Sequence, residues 1–143
     1  MSAFEIHHAG SDTEIARLFP VIRELRPHLK DADELVARVR RQESQGYRLI
    51  YVEDDGAPVA CAGFRLIEHL SAGLSLYVDD LVCVESRRSK GFAEALMRWM
   101  EGHAREKGCE TFHLDSGTQR LRAHHFYFRL GLSITSFHFQ KKL

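Results

Sequence analysis

Val82-Cys83-Val84-Glu85-Ser86-Arg87-Arg88-Ser89-Lys90-Gly91-Phe92-Ala93 carries an apolar strand into a basic, glycine-bearing turn and on into an amphipathic helix. The first amides of a helix have no intrahelical acceptor, and the dipole adds roughly half a positive charge there, so backbone and side chains together can hold a diphosphate. Arg87, Arg88 and Lys90 supply charge around Ser89. Gly91 removes the Cβ where an oxygen must approach the backbone, and small Ala93, after Phe92, keeps the next turn clear. Basic residues at a helix start oppose the dipole by roughly a few tenths of a kcal/mol each unless an anion sits there. A plain basic helix start is the bland alternative for the same residues.

Working outward, the helix runs from about Lys90 to Lys107 with Phe92, Leu96, Trp99, Met100 and Ala104 on one face, and Gly108 ends it. That stripe reads as core. The strand feeding the turn is Tyr77 to Val84. Thr111 to Leu114 gives a short strand, Leu121 to Leu130 a helix closed by Gly131, and Leu132 to Phe139 a last strand. Toward the N-terminus, Phe4 to His8 alternates as a first strand. Ser11-Asp12-Thr13-Glu14 is a capping box opening a helix through Leu18, Val21, Ile22 and Leu25, with Pro20 a potential kink. A second helix spans Asp31 to Gln45 before Gly46. Tyr47 to Glu53 and Val59 to Leu66 form a hairpin around Asp54-Asp55-Gly56. The predicted order is βααβββαβαβ, an α/β (α+β) fold. Its strand, helix and parallel strand form a crossover that places a ligand at the carboxyl ends of the strands.

One hundred and forty-three residues with 44% apolar content predict a single domain over residues 1–143. Twenty basic residues balance twenty acidic ones, which argues against nucleic acid or an anionic membrane and for a small-molecule partner. Cys61, Cys83 and Cys109 lie in apolar runs with no CxxC pair and read as free thiols. With no leader in Met1-Ser2-Ala3-Phe4-Glu5 and no long apolar run, a cytoplasmic location is expected. Nine histidines invite a metal reading, but His124 and His125 point about 100° apart on a helix and no His-x-x-x-His or Cys/His framework exists, so no metal is expected. Ser116-Gly117 lacks a hydrolase nucleophile elbow.

Arg88-x-x-Gly91-x-Ala93 resembles the Arg/Gln-x-x-Gly-x-Gly/Ala signature of the GNAT superfamily of acetyl-CoA-dependent N-acetyltransferases, and Tyr127-x-x-x-Gly131 resembles its second hallmark. The element order is similar as well. The resemblance is strongest from about Leu76 to Gly131, and the segment from Gln119 to Gly131 resembles a branch including bacterial aminoalkylphosphonate and small-amine N-acetyltransferases. It implies a mixed sheet splayed between the fourth and fifth strands and acetyl-CoA as co-substrate. It also implies that the backbone from Val82 to Val84 pairs with the pantetheine arm, the alternative being an ordinary sheet ladder. In the same way Tyr127 is implied as general acid to the departing thiolate. Arg120 stands where the family often has Asn.

Acetyl transfer to an amine needs a neutral nucleophile and a proton for the thiolate. A phenol, with a reference pKa of about 10, is protonated at neutral pH; Tyr127 can equally be a half-buried aromatic between Phe126 and Phe128. The base has two candidates. Asp79 and Asp80 interrupt an apolar strand, where an unpaired carboxylate is costly, and period two sends them to opposite faces, leaving Asp80 as the one considered. Asp115 matches the place of a catalytic Glu in some family members, whereas the position of Tyr77, Glu in others, is not acidic here. Pairing with Arg120, Arg122 or Arg129, capping or turn formation would explain these aspartates structurally. The function expected is acetyl transfer from acetyl-CoA to a primary amine of a small molecule. A catalytically weak acyl-CoA-binding sensor module and a peptide N-terminal acetyltransferase are the alternatives. The apolar end Ile134 to Phe139 predicts a homodimer.

Overall fold

Capping, proline and glycine set the boundaries of the elements in the computed structural model, which describes residues 4–143; residues 1–3, part of the stretch read above for a leader, lie outside the described residues. The elements are β1 (His7–His8), α1 (Asp12–Arg17), α2 (Phe19–Leu25), α3 (Ala32–Glu43), β2 (Arg48–Asp54), β3 (Ala57–His69), β4 (Gly73–Cys83), a 3-10 turn (Glu85–Arg87), α4 (Phe92–Glu106), β5 (Thr111–Leu114) and α5 (Leu121–Arg129). They fall into two compact units, Met1–His113 and Leu114–Leu143.

In the first unit the Ser11 capping box forms, with Ser11 Oγ accepting from Glu14 N at 3.1 Å. The helix it opens stops at Leu18, and Pro20 sits in the first turn of the next helix. A proline lacks the amide an uninterrupted helix needs there, so one expected helix becomes two. Asp31 caps α3 by accepting from Glu34 N at 2.8 Å. Asp55 (φ 53°) and Gly56 (φ 76°) make the tight β2–β3 turn.

The sheet order is β1-β2-β3-β4-β5, antiparallel through β4 and parallel between β4 and β5. Ile15, Leu18, Val21, Ile22, Leu35 and Val39 of α1 to α3 pack on Leu49, Tyr51, Cys61 and Val82 of one sheet face. The opposite face meets α4, where Phe64 packs against Trp99 and His103. β5 is short: Glu110 N donates to Leu74 O at 2.7 Å, and four residues from that start reach no further than Val78. From Asp79 on, β4 continues past the end of β5, so the sheet opens there.

The second unit holds α5 and the C-terminal segment. Gly131 (φ 89°) and Leu132 N donating to Tyr127 O at 3.0 Å close the helix. No strand forms between Leu132 and Phe139, contrary to expectation, and the observed order is βαααβββαβα. The apolar alternation slips at Ser136, from Leu132 and Ile134 to Phe137 and Phe139, so no single period-two face exists for a ladder to bury. Ile134, Phe137 and Phe139 are 69%, 84% and 92% exposed.

Candidate active site

The basic turn leaves β4 at its open end. Val84 (φ −58°) leads into the 3-10 turn, Arg88 is extended, and Ser89 (φ 68°) and Gly91 (φ 90°) take positive φ on either side of Lys90. Alternating signs of φ curl successive amides toward one side, the geometry of an anion nest. The first i to i−4 bond of α4 runs from Ala95 N to Gly91 O, and no side chain caps the helix, so the Phe92 and Ala93 amides precede the ladder. A Cβ at Gly91 would meet only Phe4 Cε2, at 3.7 Å. This donor set fits a diphosphate.

The cations divide. Arg87 donates to Asp54 Oδ2 at 2.9 Å, bracing the turn against the β2–β3 hairpin. Among the described residues no ion pair involves Arg88 or Lys90, and Arg88 lines a groove of about 580 Å³ with Glu24, Glu85 and Ser86. Glu24 Oε1 accepts from the Glu85 amide at 3.0 Å.

Val84 N donates to Val59 O at 2.9 Å and Val84 O accepts from Arg87 N at 3.0 Å. Val82, two residues back and opposite Cys61, shares that orientation, so its polar groups also belong to the β3 ladder. The groups aimed at the open edge are those of Leu81 and Cys83. Of the stretch from Val82 to Val84, the Cys83 groups are thus the ones turned away from the β3 ladder, because a strand presents alternate residues to each neighbour. Burial pushes the Cys83 and Cys109 thiols up, and the fully buried Cys61 furthest, so none is an activated nucleophile.

A bulge decides the fate of the paired aspartates. Gly63 lies opposite Asp80 and Phe64 opposite Val78, which leaves Asp79 as the extra residue. Both carboxylates consequently reach partners on the α1–α3 face, where period two had sent them apart. Asp80 Oδ1 accepts from Arg26 Nε at 2.9 Å and Oδ2 from the Tyr47 hydroxyl at 2.8 Å. Asp79 accepts from Arg65 Nε and an Arg65 terminal nitrogen at 3.0 and 2.7 Å, and its carbonyl accepts from Arg26 at 2.9 Å. Burial raises the Asp79 carboxyl, with Arg65 pulling it back. The Tyr47 phenol is pushed well above its usual range by burial, then by the Asp80 charge. Tyr47, Gly63 and Arg65 escaped the sequence reading as site residues; the one available signal was a glycine inside the apolar run of β3.

In the second unit Tyr127 lies on α5, its ring 5.5 Å from Phe126 at a T-shaped angle. Burial raises its phenol, with Arg120 opposing, so the hydroxyl is protonated at neutral pH. Asp115 is about half exposed, with His138 Nδ1 at 3.6 Å, and the hydroxyl of adjacent Ser116 is buried without a hydrogen bond. His124 Nε2 lies 2.9 Å from Gly117 O, tying α5 to the preceding loop. Among the described residues no group of three or more His, Cys, Asp and Glu is arranged around a common point.

An open-edged mixed sheet whose fourth strand runs into an anion nest at a helix N-terminus defines an acyltransferase. The chain belongs to the acetyltransferase (GNAT) family, whose profile matches residues 14–132. It is 32% identical over 133 residues to the uncharacterized N-acetyltransferase YhdJ of Bacillus subtilis (strain 168), covering 92% of this chain and 93% of that one. Among solved structures it is similar to a putative acetyltransferase from Agrobacterium tumefaciens str. C58, with TM-score 0.83, 22% identity and coverage of 97% and 99% of the two chains. It is similar too to AAC(6')-Iy in complex with the bisubstrate analogue CoA-S-monomethyl-acetylneamine, with TM-score 0.80, 15% identity and coverage of 99% and 100%. Acetyl-CoA is the acyl donor of the family. Among the described residues no helix is long and apolar enough to cross a membrane.

Proposed function

We propose that this enzyme acetylates a primary amine of a small molecule by direct attack on acetyl-CoA, with both units serving one N-acetyltransferase domain. The carrying observation is the continuity of the open β4 edge with the nest from Arg88 to Ala93. The donor, when bound, supplies the activated acetyl thioester. Ser89, Lys90, Gly91, Phe92 and Ala93 offer backbone amides to its diphosphate, Arg88 and Lys90 offer charge, and the Cys83 backbone offers strand pairing. Arg87 acts at one remove, by fixing the turn through Asp54.

An ammonium acceptor must lose one proton before its nitrogen can bond to the acetyl carbon. Asp80, 18% exposed at the side chain, is the proposed acceptor of that proton through water and releases it to solvent. Asp115 is the second candidate. As the carbon–sulfur bond breaks, the Tyr127 hydroxyl gives its proton to the thiolate sulfur, and the proton still on the new amide nitrogen restores the phenol. The sum is one amide, one free thiol and one proton. Three free cysteines fit a cytoplasmic setting, and the exposed Ile134, Phe137 and Phe139 support a homodimer, which a monomer mass by light scattering at micromolar concentration would refute.

Thermal shift with acetyl-CoA, followed by thiol release across a panel of primary amines and short peptides, tests the function. Stabilisation by acetyl-CoA with turnover on small amines is expected. Turnover on peptides alone would overturn the acceptor class.

A further inference from the structure

The chain keeps a buried phenol that the chemistry above does not use. Tyr47, immediately before β2, is 3% exposed, and its hydroxyl donates to Asp80 Oδ2 at 2.8 Å. Space for that hydroxyl comes from Gly63, where a Cβ would fall on the Tyr47 Oη and Cζ atoms and lie 2.7 Å from Cε1. Packing alone would be served by Phe at position 47 and a larger residue at 63. The cavity is shaped around an oxygen.

The two Asp80 oxygens are held from different elements. Arg26, at the end of α2, takes Oδ1 through Nε and ties its terminal nitrogen to the Asp79 carbonyl. Arg26 therefore fixes the bulge and the carboxylate together, while Tyr47 stops rotation of the carboxylate about its own axis. The other titratable or charged groups around Asp80 are Asp79 on β4 and Arg65 and Cys61 on β3. Arg65 is spent on Asp79, in a two-pronged pair, and its guanidinium lies 5.5 Å from the Tyr47 ring centroid. Among the described residues, the Tyr47 hydroxyl is thus the one neutral side-chain donor on the Asp80 carboxylate.

We propose that Tyr47 is a positioning residue for acetyl transfer: its buried hydroxyl orients the Asp80 carboxylate so that an open lone pair, rather than a buried one, meets the acceptor's proton. This rests on the reading of Asp80 as proton acceptor.

Tyr47→Phe, Asp80→Asn and the parent enzyme are compared by thiol release with the best amine of the panel across the pH range. In Tyr47→Phe, kcat falls about tenfold at neutral pH while both KM values stay within about twofold, and the acid limb of the profile moves to higher pH. Carbon-13 NMR of labelled aspartate reads the loss of orientation without turnover, as a moved Asp80 carboxyl resonance in Tyr47→Phe. An unmoved resonance, or a rate loss with an unchanged pH profile, overturns the positioning role and leaves a packing one. Wild-type thiol release in Asp80→Asn instead refutes Asp80 as the base, whatever Tyr47 does. An inactive Asp80→Asn alongside a Tyr47→Phe enzyme of parental profile removes Tyr47 alone.

Discussion

Replacing Gly63 by alanine adds a single methyl group to a strand position where φ is ordinary, a change that normally stabilises a protein by about 0.4–1 kcal/mol through the unfolded chain. Here the sign reverses. The methyl would fall on the Tyr47 hydroxyl and the carbon bearing it, and Tyr47 is buried, at 3% exposure. Forcing the ring aside costs about 1–3 kcal/mol as overpacking. It also breaks the 2.8 Å bond to Asp80, a charge-assisted interaction worth about 1.5–3 kcal/mol. Together these outweigh the entropic gain and give a loss of roughly 3–5 kcal/mol, or on the order of 10 °C in Tm for a domain of this size. Urea denaturation and calorimetry of Gly63→Ala measure the loss directly. In a Tyr47→Phe background, with the oxygen gone and the bond to Asp80 already lost, the same substitution costs less, because the two positions share one space. A Gly63→Ala protein as stable as the parent would refute the packing of Tyr47 against this glycine, and with it the claim that the site is built around a hydroxyl.

Gly91→Glu places a side chain at φ 90° and a negative charge in the anion nest; acetyl-CoA binding by calorimetry is expected to vanish, and an unchanged Kd in a folded variant would remove the nest as the diphosphate site. Tyr127→Phe deletes one oxygen; single-turnover acetyl transfer should slow by roughly ten- to a thousandfold with little change in acetyl-CoA affinity, and parental rates would reject the general-acid role. His103 stacks on Trp99 at 4.9 Å, and burial, then Lys107, lowers its pKa from 6.5, so the folded state favours the neutral ring. That contribution is complete above pH 6.5 and is lost as pH falls through the lower folded value. Tm of the parent should therefore decline on acidification more steeply than that of His103→Gln, and parallel curves would refute the assignment.

Local chemistry made much of the fold readable. The Ser11 box, the Asp55-Gly56 turn, the apolar stripe of α4 and the glycine stops at 46, 108 and 131 are all decided within a few residues. The nest from Arg88 to Ala93 was readable for the same reason. The β4 bulge was not: nothing within Val78-Asp79-Asp80-Leu81 shows that one residue is skipped, because the skip is set by Gly63 and Phe64 on another strand. Arg26 and Tyr47 lie 54 and 33 residues from Asp80, and only tertiary packing brings them to it. The contact of Arg87 with Asp54 was not legible either, because the two lie 33 residues apart on different turns. The last strand failed because alternation was counted across Ser136, where it changes phase.

The bulge at Asp79 makes β4 a strand with two reading frames. Odd residues face the helix α4 after it and even ones before it, since Leu81 pairs with Ala62 while Val78 pairs with Phe64. The strand thereby tolerates the loss of a residue at this position, but not at its regularly paired positions. Deleting Asp79 would leave Asp80 opposite Gly63 and Val78 opposite Phe64 as neighbours in a regular ladder, with buried Leu76 and Val78 still toward α4, whereas deleting a residue of the regular stretch before it, such as Tyr77, would turn Leu76 toward the α1–α3 face. Length variation along this chain should accordingly be absorbed at the bulge itself and at the hairpin tip around Leu70, fully exposed, and not in the regular stretches of the strand that leads to the nest.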